Sequence, residues 1–353
     1  MEKGNVIEWL TDSNTCFLLG AGCSKCAGKP LMGELTTEVV KKMTAEGKKI
    51  IEILNGPDGH GNPTIEDVTN QLIKLQQVAA QRKDPKIDGW ELEKIEEEIT
   101  LVQKNVVEVI GSEWTPSEQH QLFLQRLYQT SKDARDIFLL NYDTLIESSI
   151  EELKLPYVDG FSGTENAFFD PDVYAKNDKK RHFNVYKLHG SVNWIREENE
   201  IVRRRPLATI KGTDSRHVIY PAEQKYIQTQ YGVYEILLRL FRDRLKKNLP
   251  NNRLVILGYS FSDEHINTAI IDAILTPGSN LTVFAFVGKS LPESRKTKLK
   301  EVAEKCDDRL NVFVGQEEYI GTAFSSGECS ELMKETDLSR FENIVKILNQ
   351  HDE

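Results

Sequence analysis

Six short apolar runs, each stopped by a small or polar residue, constrain this chain more than any other feature: CFLL at 16–19, DIFLL at 136–140, NVYKL at 184–188, RLVIL at 253–257, LTVFAFV at 281–287 and LNVFV at 310–314. Runs this short and this continuously apolar, rich in β-branched and aromatic residues, suit strands covered on both faces. Helical stretches starting near Thr144 and spanning 231–248, 263–275 and 291–305 alternate with the later runs. The expected fold class is therefore α/β, a doubly wound, Rossmann-like parallel sheet.

The residues that follow the runs carry the functional signal. Gly20, Asn141, His189 and Gly258 each stand directly behind a strand, and open α/β sheets bind ligands at the carboxyl ends of their strands. The first run stops at Gly20-Ala21-Gly22, and a helix is expected from Met32 to Met43, after Pro30. Glycines here let the backbone approach a ligand without an intervening Cβ. The amides of Ala21, Gly22, Cys23 and Ser24 would then face an anion such as a diphosphate. The alternative is equally open: many strand-to-helix turns hold two glycines merely to fit, and GAG-x-S is not the full dinucleotide fingerprint.

Elsewhere a short helix is expected over 5–14, and 50–130 reads as helical without strands, with segments at 65–82, 89–110 and 117–130 and a loop at 55–63. Region 160–215 reads as loops with a small hairpin around Trp194–Arg204; Arg203, Arg204 and Arg205 read as a solvated charge run, with an anion patch as the alternative. An amphipathic helix is expected at 338–348. The domain reading is a discontinuous catalytic domain over 1–49 and 131–315, a helical insertion over 50–130 and a helical tail over 316–353.

A net charge of −10 argues against a dedicated nucleic-acid or anionic-membrane binder. The N-terminus lacks the apolar core of a signal peptide, and no apolar run is long enough to span a bilayer, so a cytoplasmic location is expected. Five cysteines, Cys16, Cys23, Cys26, Cys306 and Cys329, suit reduced thiols rather than a disulfide framework. His182, His217 and His265 have no spacing to other ligands that suggests a metal, and Tyr220, Tyr226, Tyr231 and Tyr234 read as core or interface residues.

Taken together, GAGCS at 20–24, NYDTLIE at 141–147, KLHGS at 187–191 and GYSFSDEHI at 258–266 resemble the sirtuin-like fold. More narrowly, they are similar to the bacterial sirtuin-like NAD hydrolases that act as effectors of antiphage defence. The resemblance runs in order through most of 12–315 and implies NAD as substrate in the crevice. It implies that Gly20, Ala21, Gly22 and Ser24 form the diphosphate turn, that Asn141 contacts the nicotinamide ribose and the attacking water, and that Asp143 holds the carboxamide. It gives His189 the role of general base and places Gly258 and Ser260 beside the adenosine ribose and phosphates. It also implies a homo-oligomer and control by a partner, for example a HerA-type translocase ATPase or an Argonaute-like protein. Protein-deacylating sirtuins carry two C-x-x-C pairs for a structural zinc; here only Cys23-x-x-Cys26 exists, so no zinc module or other metal is expected and the two thiols read as reduced pocket-wall residues. Leu140 also stands where deacylating sirtuins have glutamine.

These residue types suit N-glycosidic cleavage, which passes through an oxocarbenium-like state. A neutral histidine can take a proton from water or a ribose hydroxyl. An asparagine orients two partners without adding charge. Each has a plainer alternative: His189 as a buried histidine bonded to a backbone carbonyl, Asn141 or Asp143 as a helix cap, and Ser262 as the N-cap of the helix behind it. The expected function is an NAD glycohydrolase that depletes NAD in antiphage defence. The competing readings are an NAD-dependent deacylase or ADP-ribosyl-transferring enzyme and a non-catalytic nucleotide-binding scaffold; a nuclease would need a cluster of acidic metal ligands.

Overall fold

A computed structural model of the 353-residue chain describes residues 3–55, 62–87, 89–111, 116–175, 181–197, 201–206, 217–219, 232–325 and 333–349. Most of the loop at 55–63, Tyr220, Tyr226, Tyr231, Cys329 and the side chain of His217 lie outside the described residues. The chain opens with α1 (Lys3–Thr11) and β1 (Thr15–Leu19), followed by a 3-10 turn over Ala21–Ala27. Then come α2 (Met32–Lys41), α3 (Ala45–Asn55), α4 (Ile65–Ala80), a minimal hairpin of β2 (Lys86–Ile87) and β3 (Trp90–Glu91), α5 (Leu92–Ile110) and α6 (Glu118–Thr130). The middle of the chain holds β4 (Arg135–Leu139), α7 (Leu145–Glu152), β5 (Tyr157–Val158), β6 (Phe161–Ser162), β7 (Ala167–Phe169), β8 (Phe183–Lys187), β9 (Gly190–Arg196), β10 (Val202–Arg204) and β11 (His217–Ile219). It ends with α8 (Val233–Leu245), β12 (Arg253–Leu257), α9 (Glu264–Leu275), β13 (Thr282–Val287), α10 (Glu293–Ala303), β14 (Leu310–Val314), β15 (Glu318–Ile320) and α11 (Phe341–Asn349).

All six apolar runs form strands of one eight-stranded sheet, ordered β15-β14-β13-β12-β1-β4-β8-β5. Every pairing is parallel except the antiparallel edge β14–β15. From β1 the chain builds outward through β4 to β8, then crosses to the other side for β12, β13 and β14. The strand order thus reverses between β1 and β12, which is where a doubly wound sheet opens a crevice at its carboxyl edge. The edge strands β5 and β15 have only two and three residues, too few for an alternating pattern to stand out.

Every residue of β1 is buried, because alternate side chains enter two separate cores. Leu18, with Ile256 of β12 and Ala285 of β13, faces a core closed by α8 and α9 through Leu237, Phe241, Ile266 and Ile270. Phe17 and Leu19 face the opposite core, closed by Leu10 of α1, Phe123 and Leu127 of α6, and Phe341, Ile344 and Leu348 of α11. Trp9 stacks on Phe284 with ring centroids 3.9 Å apart. Each fully buried Leu or Phe is worth about 1.5–3 kcal/mol of transfer free energy, so the sheet needs no alternation of polar residues to be stable.

A third core lies among helices. Leu35 and Val39 of α2, Ile50 of α3, Val68 and Leu72 of α4, and Ile95, Ile99, Val102 and Val106 of α5 pack together. The start of α4 is fixed by a capping box: Thr64 N–H donates to Asp67 at 2.8 Å and Asp67 N–H donates back to the Thr64 hydroxyl at 3.3 Å. By packing, α2 groups with these helices, whereas α6 groups with the sheet, so the helical layer is offset from the 50–130 segment expected of an insertion.

The largest departure from expectation is 160–215. It holds strands of a five-stranded antiparallel sheet, β11-β9-β10-β7-β6, rather than loops around a single hairpin. The expected hairpin is there, with Val202 opposite Arg196 and Arg204 opposite Trp194. Three of the other strands have two or three residues, below the length at which periodicity registers. The three arginines are not a solvated run. Arg203 pairs with Glu197 at 2.7 Å and Arg204 with the buried Asp159, and Arg205 lies 3.7 Å from Glu197. Among the described residues no helix is long and apolar enough to cross a membrane.

Candidate functional site

The loops behind β1 and β12 meet at van der Waals limits, and glycine is what allows it. Gly20 N–H donates to Leu257 O and Gly22 N–H to Gly258 O, both at 2.9 Å. A Cβ on Gly20 would lie 2.6 Å from Gly258 O, and one on Gly22 would lie 2.7 Å from Gly258 Cα. Gly258 itself has φ +63°, and a Cβ there would lie 2.5 Å from the Cys23 amide nitrogen. This geometry corrects part of the amide reading. Gly22 and Cys23 spend their N–H groups inside the fold, the latter on Gly20 O at 3.0 Å. Ala21 opens the 3-10 turn, so its N–H has no intrahelical acceptor. Gly258→Ala is expected to cost about 1–3 kcal/mol through strain and overlap, read as a fall in the urea midpoint at unchanged slope.

An open cleft of about 790 Å³ lies above these loops. Gly20, Ala21, Ser24, Asn141, Asp143, His189, Gly258 and Ser260 all line it, so four separate stretches of sequence converge there; Gly22 does not. The far wall comes from Lys29 in the loop before α2 and, in the helical layer, from Met32, Leu35, Glu66 and Ile110. Lys29 Nζ donates to Ile110 O at 2.8 Å and ties the loop to the end of α5. None of those wall residues was marked by a motif, because helices bring them in from a separate core.

At the floor, a chain of hydrogen bonds links three of the expected residues. Asn141 Nδ2 donates to Ser24 Oγ at 2.7 Å and to Gly20 O at 3.1 Å. Ser24 Oγ donates to Asp143 Oδ2 at 2.7 Å, and Asp143 Oδ1 accepts from Leu145 N–H at 3.1 Å. Thr144, not Asp143 or Asn141, is thus the N-cap residue of α7, while the Asp143 carboxylate, one residue earlier, accepts from the first amide of the helix. Asn141 Oδ1 is buried without a hydrogen-bond partner, and such an acceptor costs about 1–3 kcal/mol unless a ligand or water satisfies it. The Asp143 carbonyl accepts from Lys187 Nζ, a short contact, and Lys187 lies 3.4 Å from Glu147 Oε1. Burial raises the Glu147 carboxyl above its ordinary range, with Lys187 opposing it. Lys187 is only 1% exposed. Its place inside an apolar run was the available signal, since lysine is almost never buried without a partner.

His189 follows β8 and is 4% exposed. Its Nε2 lies 3.3 Å from His265 Nε2 and 3.9 Å from Asp263 Oδ1. Asp263, not Ser262, is the N-cap residue of α9, and no side-chain bond caps that helix; the Ser262 hydroxyl instead sits 3.3 Å from Ser260 Oγ. Neither Cys23 nor Cys26 lines the cleft, which corrects their reading as pocket-wall residues. Cys23 Sγ donates to Leu257 O at 3.2 Å and Cys26 Sγ to Cys23 O at 3.3 Å. Burial pushes the Cys26 thiol up to about 11 and Cys23 well above the ordinary thiol value. Among the described residues no group of three or more His, Cys, Asp or Glu is placed to hold a metal ion.

Beneath the floor, burial pushes the imidazole of His120 on α6 down to about 4, with the Asp143 charge opposing. Its ring centroid lies 4.9 Å from that of Phe341 on α11. The folded value lies below the ordinary 6.5, so the unfolded chain binds more protons between the two, and stability falls as pH drops through that window. Urea midpoints at about pH 7 and about pH 5 should show this loss, and His120→Leu should shrink it. An undiminished acid loss in the variant would assign it to other groups.

Residues 135–306, from β4 to just past α10, match the family model described as SIR2-like domain. Two solved structures are similar at low identity. One, a point mutant of a Sir2 homologue in complex with ADP-ribose, is 14% identical, with 99% of each chain covered and a TM-score of 0.41. The other, a Sir2 homologue in complex with NAD, is 14% identical, with 98% of this chain and 95% of that chain covered and a TM-score of 0.40. No curated protein matches the chain.

Proposed function

We propose that the cleft binds NAD and hydrolyses the bond between nicotinamide and ribose, making the protein an NAD glycohydrolase. The observation that carries this reading is the convergence of the Asn141–Ser24–Asp143 hydrogen-bond chain and the buried His189 on one cleft at the reversal of strand order, within a chain whose 135–306 segment is SIR2-like.

In the proposed reaction the C–N bond to the nicotinamide ring breaks and its electron pair goes to the ring nitrogen, which loses its positive charge. Water adds to the ribose carbon and gives its proton to His189. The unpartnered Asn141 Oδ1 accepts from a ribose hydroxyl or from that water, while Nδ2 stays anchored on Ser24 and Gly20. Asp143, held by Ser24 and Leu145, orients the carboxamide through its N–H group. The Ala21 amide and Lys29, both of which line the cleft, would meet the diphosphate. The carbocation-like state gains from a cleft with acceptors already in place, since nothing has to reorganise as charge develops.

The resemblance extends the proposal to biology: an effector of antiphage defence that depletes NAD, held latent until a partner such as a HerA-type ATPase, or self-assembly, switches it on. The test is nicotinamide release from NAD by the protein alone and with the protein encoded beside it. Release without any acylated peptide supports the glycohydrolase. Peptide-dependent release would replace it with a deacylase, and binding without turnover with a scaffold.

A further inference from the structure

We infer that His265 is a positioning residue for His189, fixing which ring nitrogen of His189 holds the proton. The inference rests on the reading of His189 as the base of NAD cleavage, and it adds a residue that no motif role covers.

The geometry is direct. The two Nε2 atoms are 3.3 Å apart, the ring centroids 5.4 Å apart and the ring planes inclined by 48°. Both residues are buried, His189 at 4% and His265 at 7% exposure. Two imidazole nitrogens at this distance hold one proton between them: one ring presents N–H, the other its lone pair. The tautomer of one ring therefore dictates that of the other, as a third group orients the base in other nucleophile–base pairs.

Local charge decides the direction. His265 is the second residue of α9, a 12-residue helix, where the amide dipoles disfavour a cation. His189 Nε2 lies 3.9 Å from Asp263 Oδ1. Of the other charged groups nearby, Glu264 pairs outward with Lys298 of α10 at 2.7 Å, Asp143 is held by Ser24, and Glu66 stands on the cleft wall contributed by α4. Positive charge is thus better placed on His189 than on His265. In the productive arrangement His189 donates Nε2–H to the His265 lone pair, and its Nδ1 takes the proton from water. The resulting imidazolium keeps that hydrogen bond and gains the Asp263 carboxylate as a neighbour.

The test compares wild type with His265→Gln, whose amide oxygen reaches the position of the imidazole Nε2, and His265→Phe, which fills the space without an acceptor. The first readout is the NMR titration of the His189 ring, which needs no turnover. His265→Phe should lower the His189 midpoint by about one pH unit, and His265→Gln should restore most of it. The second is nicotinamide release, where His265→Phe should lower kcat by about ten- to a hundredfold with KM within about twofold, again restored by Gln. If the Phe variant does not fold, His265→Asn, too short to reach, replaces it. An unmoved His189 titration, or a Gln variant no better than Phe, overturns the inference. If wild type releases no nicotinamide while the titration moves as expected, the glycohydrolase reading fails and the positioning role stands.

Discussion

His189→Ala is expected to lower nicotinamide release from NAD by about a hundred- to ten-thousandfold, the usual contribution of a positioned general base. KM should stay within a few-fold of wild type, because in the proposed reaction the imidazole acts only on the attacking water, while the Ser24 turn, Gly258 and Ser260, which also line the cleft, remain. The fold should persist, since the partner left behind, His265, lies at the cleft edge of the sheet rather than in either apolar core. Asn141→Ala should be at least as damaging. It removes the buried acceptor Oδ1 and also frees Ser24 Oγ from its donor, loosening the link to Asp143. Unchanged turnover in His189→Ala would mean that another group takes the proton. Unchanged turnover in both would remove the cleft from the reaction.

Lys187→Met is the substitution expected to cost the most stability, about 3–5 kcal/mol at neutral pH. It keeps the volume of the side chain in β8 and deletes the charge, leaving Glu147 in a buried site with no cation and the Asp143 carbonyl without its donor. Breaking one half of a buried pair is costly because the other half stays charged and desolvated. The sign with pH follows from Glu147, whose folded value is already raised by burial. Without Lys187 it rises further, so the penalty is present above the ordinary carboxyl value and is relieved as pH falls and Glu147 takes up a proton. The double variant Lys187→Met, Glu147→Leu should recover most of the loss in urea denaturation. A single variant within about 1 kcal/mol of wild type would show that the pair is solvated or replaceable. Because Lys187 holds the backbone of Asp143, Lys187→Met should also weaken ligand binding in the cleft.

How much of this was legible in the sequence differs by element. The six buried runs declared themselves because a strand covered on both faces must be apolar at every position, and that requirement is local. Asn141, His189 and Gly258 could be placed at a site by the same logic, since the carboxyl edge of a parallel sheet collects whatever follows its strands. The small antiparallel sheet could not be read from 160–215. Its strands are two to seven residues long, and its arginines are paired with Asp159 from outside the hairpin and with Glu197 across it, rather than with sequence neighbours at helical spacing.

The sequence by itself determined the parallel sheet and the edge at which the candidate residues gather, because both follow from short-range patterns of burial and interruption. Only the tertiary structure decided what the glycines are for: Gly22 and Gly258 admit one loop against another, and the Gly22 amide serves that contact rather than a ligand. It also decided the company that His189 keeps. His265 lies 76 positions further along the chain and Lys187 reaches Asp143 across 44, and no local pattern encodes such distances. They are set by the parallel stacking of strands, which brings the ends of β8, β4 and the helix after β12 to one edge whatever their separation in sequence.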